Sequence, residues 1–187
     1  MDPYANPWIT LSKAQKYDNP WIRVEEHQVL NPKGNPGIYG VVQYKNYAIG
    51  VVPVDAEGYT WLVGQYRYPL DIYSWELPEG GGPKDRSPEE SAHRELLEET
   101  GLVATRLERI VTMHLSNSVS DEVAYVYLAT GLSLQTAQPE DTEQLLIRRL
   151  PLTEAITMVH REEITDSMSV AGLLKVELML LRGELQF

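Results

Sequence analysis

Three glutamates, Glu95, Glu98 and Glu99, are the residues whose type and spacing could do chemistry. At roughly 100° per residue, helix positions i, i+3 and i+4 share a face, so three carboxylates point the same way. The helix is marked at both ends. Ser87 is an N-cap, Pro88 suits the first helical position, and Glu90 completes a Ser-x-x-Glu capping box. Gly101 supplies the residue that can turn left-handed and stop the helix. Ala92 and Leu96, one turn apart, are the residues placed to hold it on a core. The plain reading is a solvated acidic face, because exposed like-charge neighbours cost only about 0.2–0.5 kcal/mol each. Two upstream features argue for more. Gly80 to Gly82 let the backbone approach an ion or phosphate closely, and Trp75 and Leu77 bring the chain in from a packed strand. In a cleft, each carboxylate pair at ~6 Å and an effective dielectric of ~20 repels by roughly 3 kcal/mol. Bound divalent cations remove that repulsion, and an oxygen-only ligand set favours Mg²⁺ or Mn²⁺ over zinc.

The elements that must position this helix follow from the rest of the chain. With 187 residues, 43% hydrophobic and 23% charged, it is long enough for one well-buried soluble domain. We expect an irregular arm over residues 1–20, where Pro3, Tyr4, Pro7 and Trp8 sit in polar surroundings, and a single domain over 21–187. Strand patterns run over Trp21–Leu30, Ile38–Tyr44, Tyr47–Val54 and Tyr59–Tyr66, with a hairpin turn at Asp55–Gly58. Beyond the central helix come strands over Thr105–Leu115, Glu122–Leu128 and Gln144–Leu150. A long acidic loop is expected over 131–142. Helices are expected over Thr153–Arg161 and Ser167–Leu181, the second burying Val170, Leu173, Leu174, Val176 and Leu178. Strands on both sides of a central helix, then two terminal helices, make a mixed sheet packed by helices.

Charge and composition exclude several functions. A net charge of −11 repels nucleic-acid polymers and anionic membranes. No apolar run approaches the ~20 residues of a membrane span, and Met-Asp-Pro-Tyr does not begin like a signal peptide. Zero cysteines remove disulfide and thiolate chemistry and suit a cytoplasmic protein. The four histidines show no ligand spacing, and no Gly-x-Ser-x-Gly elbow or dinucleotide fingerprint is present. A phosphorylated small molecule would need local cations, and Arg67, Lys84, Arg86 and Arg94 all lie near the central stretch in sequence. Arg67 reads equally well as a strand-end salt bridge or as a guanidinium fork on phosphate.

Gly80 followed by Arg94-Glu95-Leu96-Leu97-Glu98-Glu99-Thr100-Gly101-Leu102 resembles the Nudix box, Gly-x5-Glu-x7-Arg-Glu-U-x-Glu-Glu-x-Gly-U, where U is aliphatic. The match fails at one defined position: Arg86 stands where the family has its first Glu, so Asp85, Glu90 or Glu98 must partner Arg94 instead. Outside the box, Gln65-Tyr-Arg-Tyr-Pro, Trp75-Glu-Leu-Pro-Glu-Gly and Ile164-Thr-Asp-Ser-Met-Ser-Val-Ala-Gly-Leu173 are similar to the branch that cleaves ADP-ribose and other nucleoside diphosphate sugars. Asn117 departs from the proline that dedicated ADP-ribose enzymes carry about sixteen residues past the box glycine, which leaves ADP-ribose against GDP-mannose open.

The resemblance implies an α/β/α sandwich with a mixed sheet and an N-terminal strand extension. It implies metal held by Glu95, Glu98 and Glu99 with the backbone carbonyl of Glu79. It implies phosphates held by Arg67, with Glu76, Gly80 and Gly81 on the substrate side and Arg94 as structural support. For the general base it implies a glutamate on a loop after the box. Glu140 and Glu143 are the candidates, with Glu98 as the fallback. Tyr17 and Trp21 are the candidates for nucleobase stacking, against an equal case for core packing. The reaction implied is Mg²⁺- or Mn²⁺-dependent hydrolysis of a nucleoside diphosphate sugar to a nucleoside monophosphate and a sugar phosphate, in a homodimer. Two rivals stand beside it: hydrolysis of dinucleoside polyphosphates or nucleoside triphosphates, and a non-catalytic sensor of nucleotide sugars.

Overall fold

Short β-branched and aromatic runs punctuated by Gly, Asn and Asp give way to longer 3.6-residue periods around the central helix and in the last third of the chain. In the computed structural model, which describes residues 2, 4–135 and 145–186, these become ten strands and three helices grouped in two units.

The first unit comprises the described residues up to Asn46 together with 114–123. It holds a three-stranded antiparallel sheet, β1 (Ile9–Asp18), β2 (Ile22–Leu30) and β3 (Pro36–Tyr44), in that spatial order. The expected irregular arm over 1–20 is therefore corrected, because Ile9–Asp18 is a strand paired along its length with β2. All ten of its residues are exposed, so no buried face imposes the alternation by which a strand is recognised. Its register also shifts between Thr10 and Ser12 and between Gln15 and Tyr17. Asn19 turns the chain into β2, its side-chain oxygen accepting from the amides of Trp21 (2.9 Å) and Ile22 (2.7 Å).

The second unit comprises 47–113 and 124–186. One sheet has the order β7-β4-β9-β8, formed by β4 (Asn46–Pro53), β7 (Glu79–Pro83), β8 (Leu102–His114) and β9 (Val123–Leu134). Strands β4 and β9 run parallel from Ala48↔Ala124 to Pro53↔Ala129. The other sheet is antiparallel, β10 (Leu146–Pro151), β5 (Tyr59–Arg67) and β6 (Ile72–Glu76) in the order β10-β5-β6. The helices are α1 (Pro88–Thr100), α2 (Leu152–His160) and α3 (Ser167–Leu181).

Strand alternation places helices on opposite faces of the four-stranded sheet. Ile49, Val51, Tyr127 and Ala129 pack with Ala92 and Leu96 of α1. The intervening Gly50, Val52 and Val126 meet Met168 and Gly172 of α3. The result is an α/β/α sandwich with parallel and antiparallel pairings. A Cβ on Gly172 would lie 2.9 Å from Val126 and 3.0 Å from Leu77, so glycine is what lets α3 come this close.

Two sequence expectations are corrected here. Strand β9 continues through 131–134, where the acidic loop was expected to begin; residues 136–144, with Glu140 and Glu143, lie outside the described residues. Helix α3 buries Met168, Ser169, Gly172, Leu173, Val176 and Met179, while Leu174 and Leu178 are exposed. The helix is apolar nearly all round, so leucine content did not mark its inner face. Small residues did, by permitting close approach. Among the described residues no helix is long and apolar enough to cross a membrane.

Candidate active site

The local order of α1 follows its sequence closely. Ser87 Oγ accepts from the Glu90 amide (3.0 Å) while the Glu90 carboxylate accepts from the Ser87 amide (3.2 Å). Gly101 closes the helix at φ 71°, its N–H donating to the Leu97 carbonyl. Glu89 and Glu90 lie in the first turn, favourably near the positive end of the helix dipole.

Between these caps, Glu95 and Glu99 are buried, at 6% and 2% exposure, and Glu98 is half-buried. A solvated acidic face is thereby excluded for two of the three. Glu99 Oε2 accepts from the Glu79 amide at 2.8 Å, which fixes β7 against α1. Gly80 lies on β7 with its backbone directly over Glu95: a Cβ there would stand 2.4 Å from all three atoms of that carboxyl group. The close approach expected of these glycines is thus made from a strand.

Arg94 finds its acidic partners on its own helix. It donates to Glu98 Oε2 (2.5 Å), Glu95 Oε1 (2.5 Å) and the Gly81 carbonyl (2.8 Å). Of the three acids that could replace the absent box Glu, Glu98 is the one that pairs with Arg94, and Glu90 serves the helix cap. Partial burial opposes the Arg94 charge, but Glu95 and Glu98 hold its pKa above the ordinary value.

A second acidic group forms where β5, β6, β7 and α3 meet. Glu76, Glu79 and Asp166 each bring a carboxylate oxygen within 4.8 Å of the others. Arg67, at the end of β5, donates from Nε to both Glu76 oxygens (2.9 and 3.0 Å) and from Nη2 to Glu76 Oε2 and to Glu79 Oε1 (2.5 Å). Asp166 caps α3 by accepting from the Ser169 amide (2.8 Å), and Ser169 Oγ accepts from the Leu77 amide (2.9 Å). Burial, with Asp166 and Glu76 facing it, pushes Glu79 well above the ordinary carboxylate range, against the pull of Arg67. Burial opposes the Arg67 charge, yet its bonds to Glu76 and the charges of Glu79, Glu76 and Asp166 keep its pKa above the usual value.

The structure therefore brings together Arg67, Glu76, Glu79, Gly80, Gly81, Arg94, Glu95, Glu98 and Glu99 within the second unit. Tyr17 and Trp21 belong to the first unit, where both are exposed rather than packed in a core. Sequence reasoning missed Asp166 and the Glu79 side chain. Asp166 stood inside the Ile164–Leu173 segment and at the helix-cap position of α3, but neither placed it beside Glu79, and Glu79 was read for its carbonyl alone.

A strand–glycine–helix cradle with buried acids on an α/β/α sandwich sets a group of carboxylate oxygens beside a glycine backbone. Residues 45–168 match the NUDIX domain, and residues 8–42 match the nucleoside diphosphate sugar hydrolase N-terminal domain. The chain belongs to the Nudix family. It is 33% identical over 175 residues to an ADP-ribose pyrophosphatase of Mycobacterium tuberculosis, covering 89% of this chain and 82% of that one. With an ADP-ribose pyrophosphatase of Bacillus subtilis the identity is 31% over 160 residues, covering 84% and 86%. A solved structure described as an ADP compounds hydrolase superposes with a TM-score of 0.84 at 20% identity, covering 95% of this chain and 97% of that one, and so shares its fold.

Proposed function

We propose that this Nudix hydrolase cleaves the pyrophosphate bond of nucleoside diphosphate sugars, giving a nucleoside monophosphate and a sugar phosphate. The observation that carries the reading is the Gly80 backbone seated on the buried Glu95 carboxyl group, with Glu99 tied to the same strand. Such a cradle orients carboxylate oxygens without room for a side chain between strand and helix. The donor set is all oxygen and two of its acids are buried, which fits a hard divalent cation, Mg²⁺ or Mn²⁺. Glu95, Glu98, Glu99 and the Glu79 carbonyl would hold it. When bound, such a cation supplies neutralisation of phosphate charge and a more acidic water.

The remaining roles belong to the chain's own side chains. Arg67 presents a guanidinium to phosphate oxygens, its plane fixed by Glu76 and Glu79. Arg94 holds the Glu95 and Glu98 carboxylates in place. Glu140 or Glu143 accepts the proton from the attacking water; Glu98, already engaged by Arg94, is the fallback. Tyr17 and Trp21 offer exposed rings on which a nucleobase can stack. Exposed Trp8, Ile9 and Leu11 on the first unit favour a homodimer, and the absence of cysteine suits the cytoplasm. Product analysis with ADP-ribose, ADP-glucose, GDP-mannose and UDP-glucose in Mg²⁺ tests the reading. Turnover confined to dinucleoside polyphosphates or nucleoside triphosphates would overturn the substrate class, and binding with no turnover of any substrate would make the chain a sensor.

A further inference from the structure

We propose that the side chains of Glu76, Glu79 and Asp166 form a second divalent-cation site, separate from the carboxylates of α1. The three oxygens converge within 4.8 Å from three different elements: the end of β6, the start of β7 and the N-cap of α3. Convergence of acids alone would not make a site. The Glu79 side chain, however, is only 6% exposed, and while Oε1 takes Arg67, its other oxygen, Oε2, is sealed from solvent and accepts no hydrogen bond. A buried carboxylate oxygen without a donor is costly and calls for a cation or a proton. Charge balance favours the dication. Three carboxylates against the single Arg67 leave two negative charges, which one Mg²⁺, Mn²⁺ or Ca²⁺ neutralises, and an all-oxygen set suits these hard ions. Asp166 is half-buried and the Arg67 side chain is 35% exposed, which leaves an entry path. A cation here would stand beside Arg67 and add positive charge where phosphate is expected.

Binding at this site needs no substrate, so it can be counted apart from activity. The full chain is titrated with Mn²⁺ and free Mn²⁺ is followed by electron paramagnetic resonance. Glu79→Ala and Asp166→Asn are each expected to weaken one Mn²⁺ by about tenfold or more, and the double variant is expected to lose no more than either single one. Glu95→Gln should weaken a different Mn²⁺, its loss adding to theirs. Because Asp166 also caps α3, Glu79→Gln, which touches no cap, serves as the second variant, with circular dichroism confirming the fold. If Glu79→Ala and Glu79→Gln both titrate like the wild type, the group holds a proton only and the proposal is overturned, while the box reading is untouched. If instead Glu95→Gln titrates like the wild type and the Glu79 variants do not, the second site stands and the metal assignment on α1 fails.

Discussion

Replacing Gly80 with alanine separates the geometry of the site from the stability of the fold. The added Cβ would sit 2.4 Å from Cδ, Oε1 and Oε2 of Glu95, about 1 Å inside ordinary carbon contact. The obstacle is the far end of a flexible side chain, so relief by a skewed Glu95 rotamer costs roughly 0.5–1.5 kcal/mol. Its consequence for chemistry is larger. Arg94 grips the same carboxylate, so the group is pushed away from its held position by about 1 Å. Misplacement on that scale costs on the order of 100-fold in rate, or about 2.7 kcal/mol of barrier. Gly82→Ala is the matched contrast. There the Cβ meets Ile49 Cγ1 and Ser91 Oγ at 2.9 Å, inside packed structure. It should cost about 1–3 kcal/mol of stability, or roughly 2–4 °C of Tm per kcal/mol. Nucleotide release at saturating substrate and Mg²⁺, run beside thermal melts, reads both effects. A wild-type kcat for Gly80→Ala would show that the Glu95 carboxylate does not act from its observed place.

Four further outcomes are expected. Glu99→Gln keeps an oxygen for the Glu79 amide, so the fold should persist while turnover is abolished; full activity in a folded variant would remove Glu99 from the metal set. Glu140→Gln or Glu143→Gln should lower kcat far more than it raises KM, and steady-state kinetics unaffected in both would place the base elsewhere. Gly172→Ala should cost about 1–3 kcal/mol by overpacking α3 against Val126, Leu77 and Val52, as urea unfolding would record. Asp55 gives a pH signature. Slight burial pulls its pKa up, but the Tyr59 and Glu57 amides and Arg149 hold it below the ordinary value. A depressed folded-state pKa stabilises fully above the unfolded value, about 3.9, and that stabilisation is lost as pH falls through the folded value. The wild type should therefore exceed Asp55→Asn in stability by about 1 kcal/mol at neutral pH. That advantage should shrink below about pH 4 in acid denaturation, and a constant gap down to pH 2 would refute the assignment.

The central helix was readable from sequence because every signal on it is local: Ser87, Glu90 and Gly101 act within a few residues of their own position. Strands β4, β5 and β9 were readable because buried apolar residues mark them, whereas the short β6 and β7 were not. Where burial is absent the sequence is silent, as for β1, whose pairing rests on backbone hydrogen bonds that any residue types can make. Helix α3 failed in the opposite way, since an excess of leucine hid the small residues, Ser169 and Gly172, that decide which side faces the sheet. The Arg94 partner stayed open among three acids until geometry selected Glu98. The proximity of Asp166 to Glu79 was hidden for a different reason. Asp166 lies 87 residues from Glu79, and only the packing of α3 brings the two carboxylates together.

The docking of the first turn of α3 on the strand segment that leads into the box sets an order on synthesis. Ser169 receives the Leu77 amide, and Asp166 faces Glu76 and Glu79. A nascent chain that has emerged only as far as residue 150 already carries every box residue, yet it lacks the strut that seats Leu77 and the acid that completes the second carboxylate group. The segment leading into the box is thus seated by a residue beyond 150, and a fragment ending there would carry the whole box without the hydroxyl that receives the Leu77 amide.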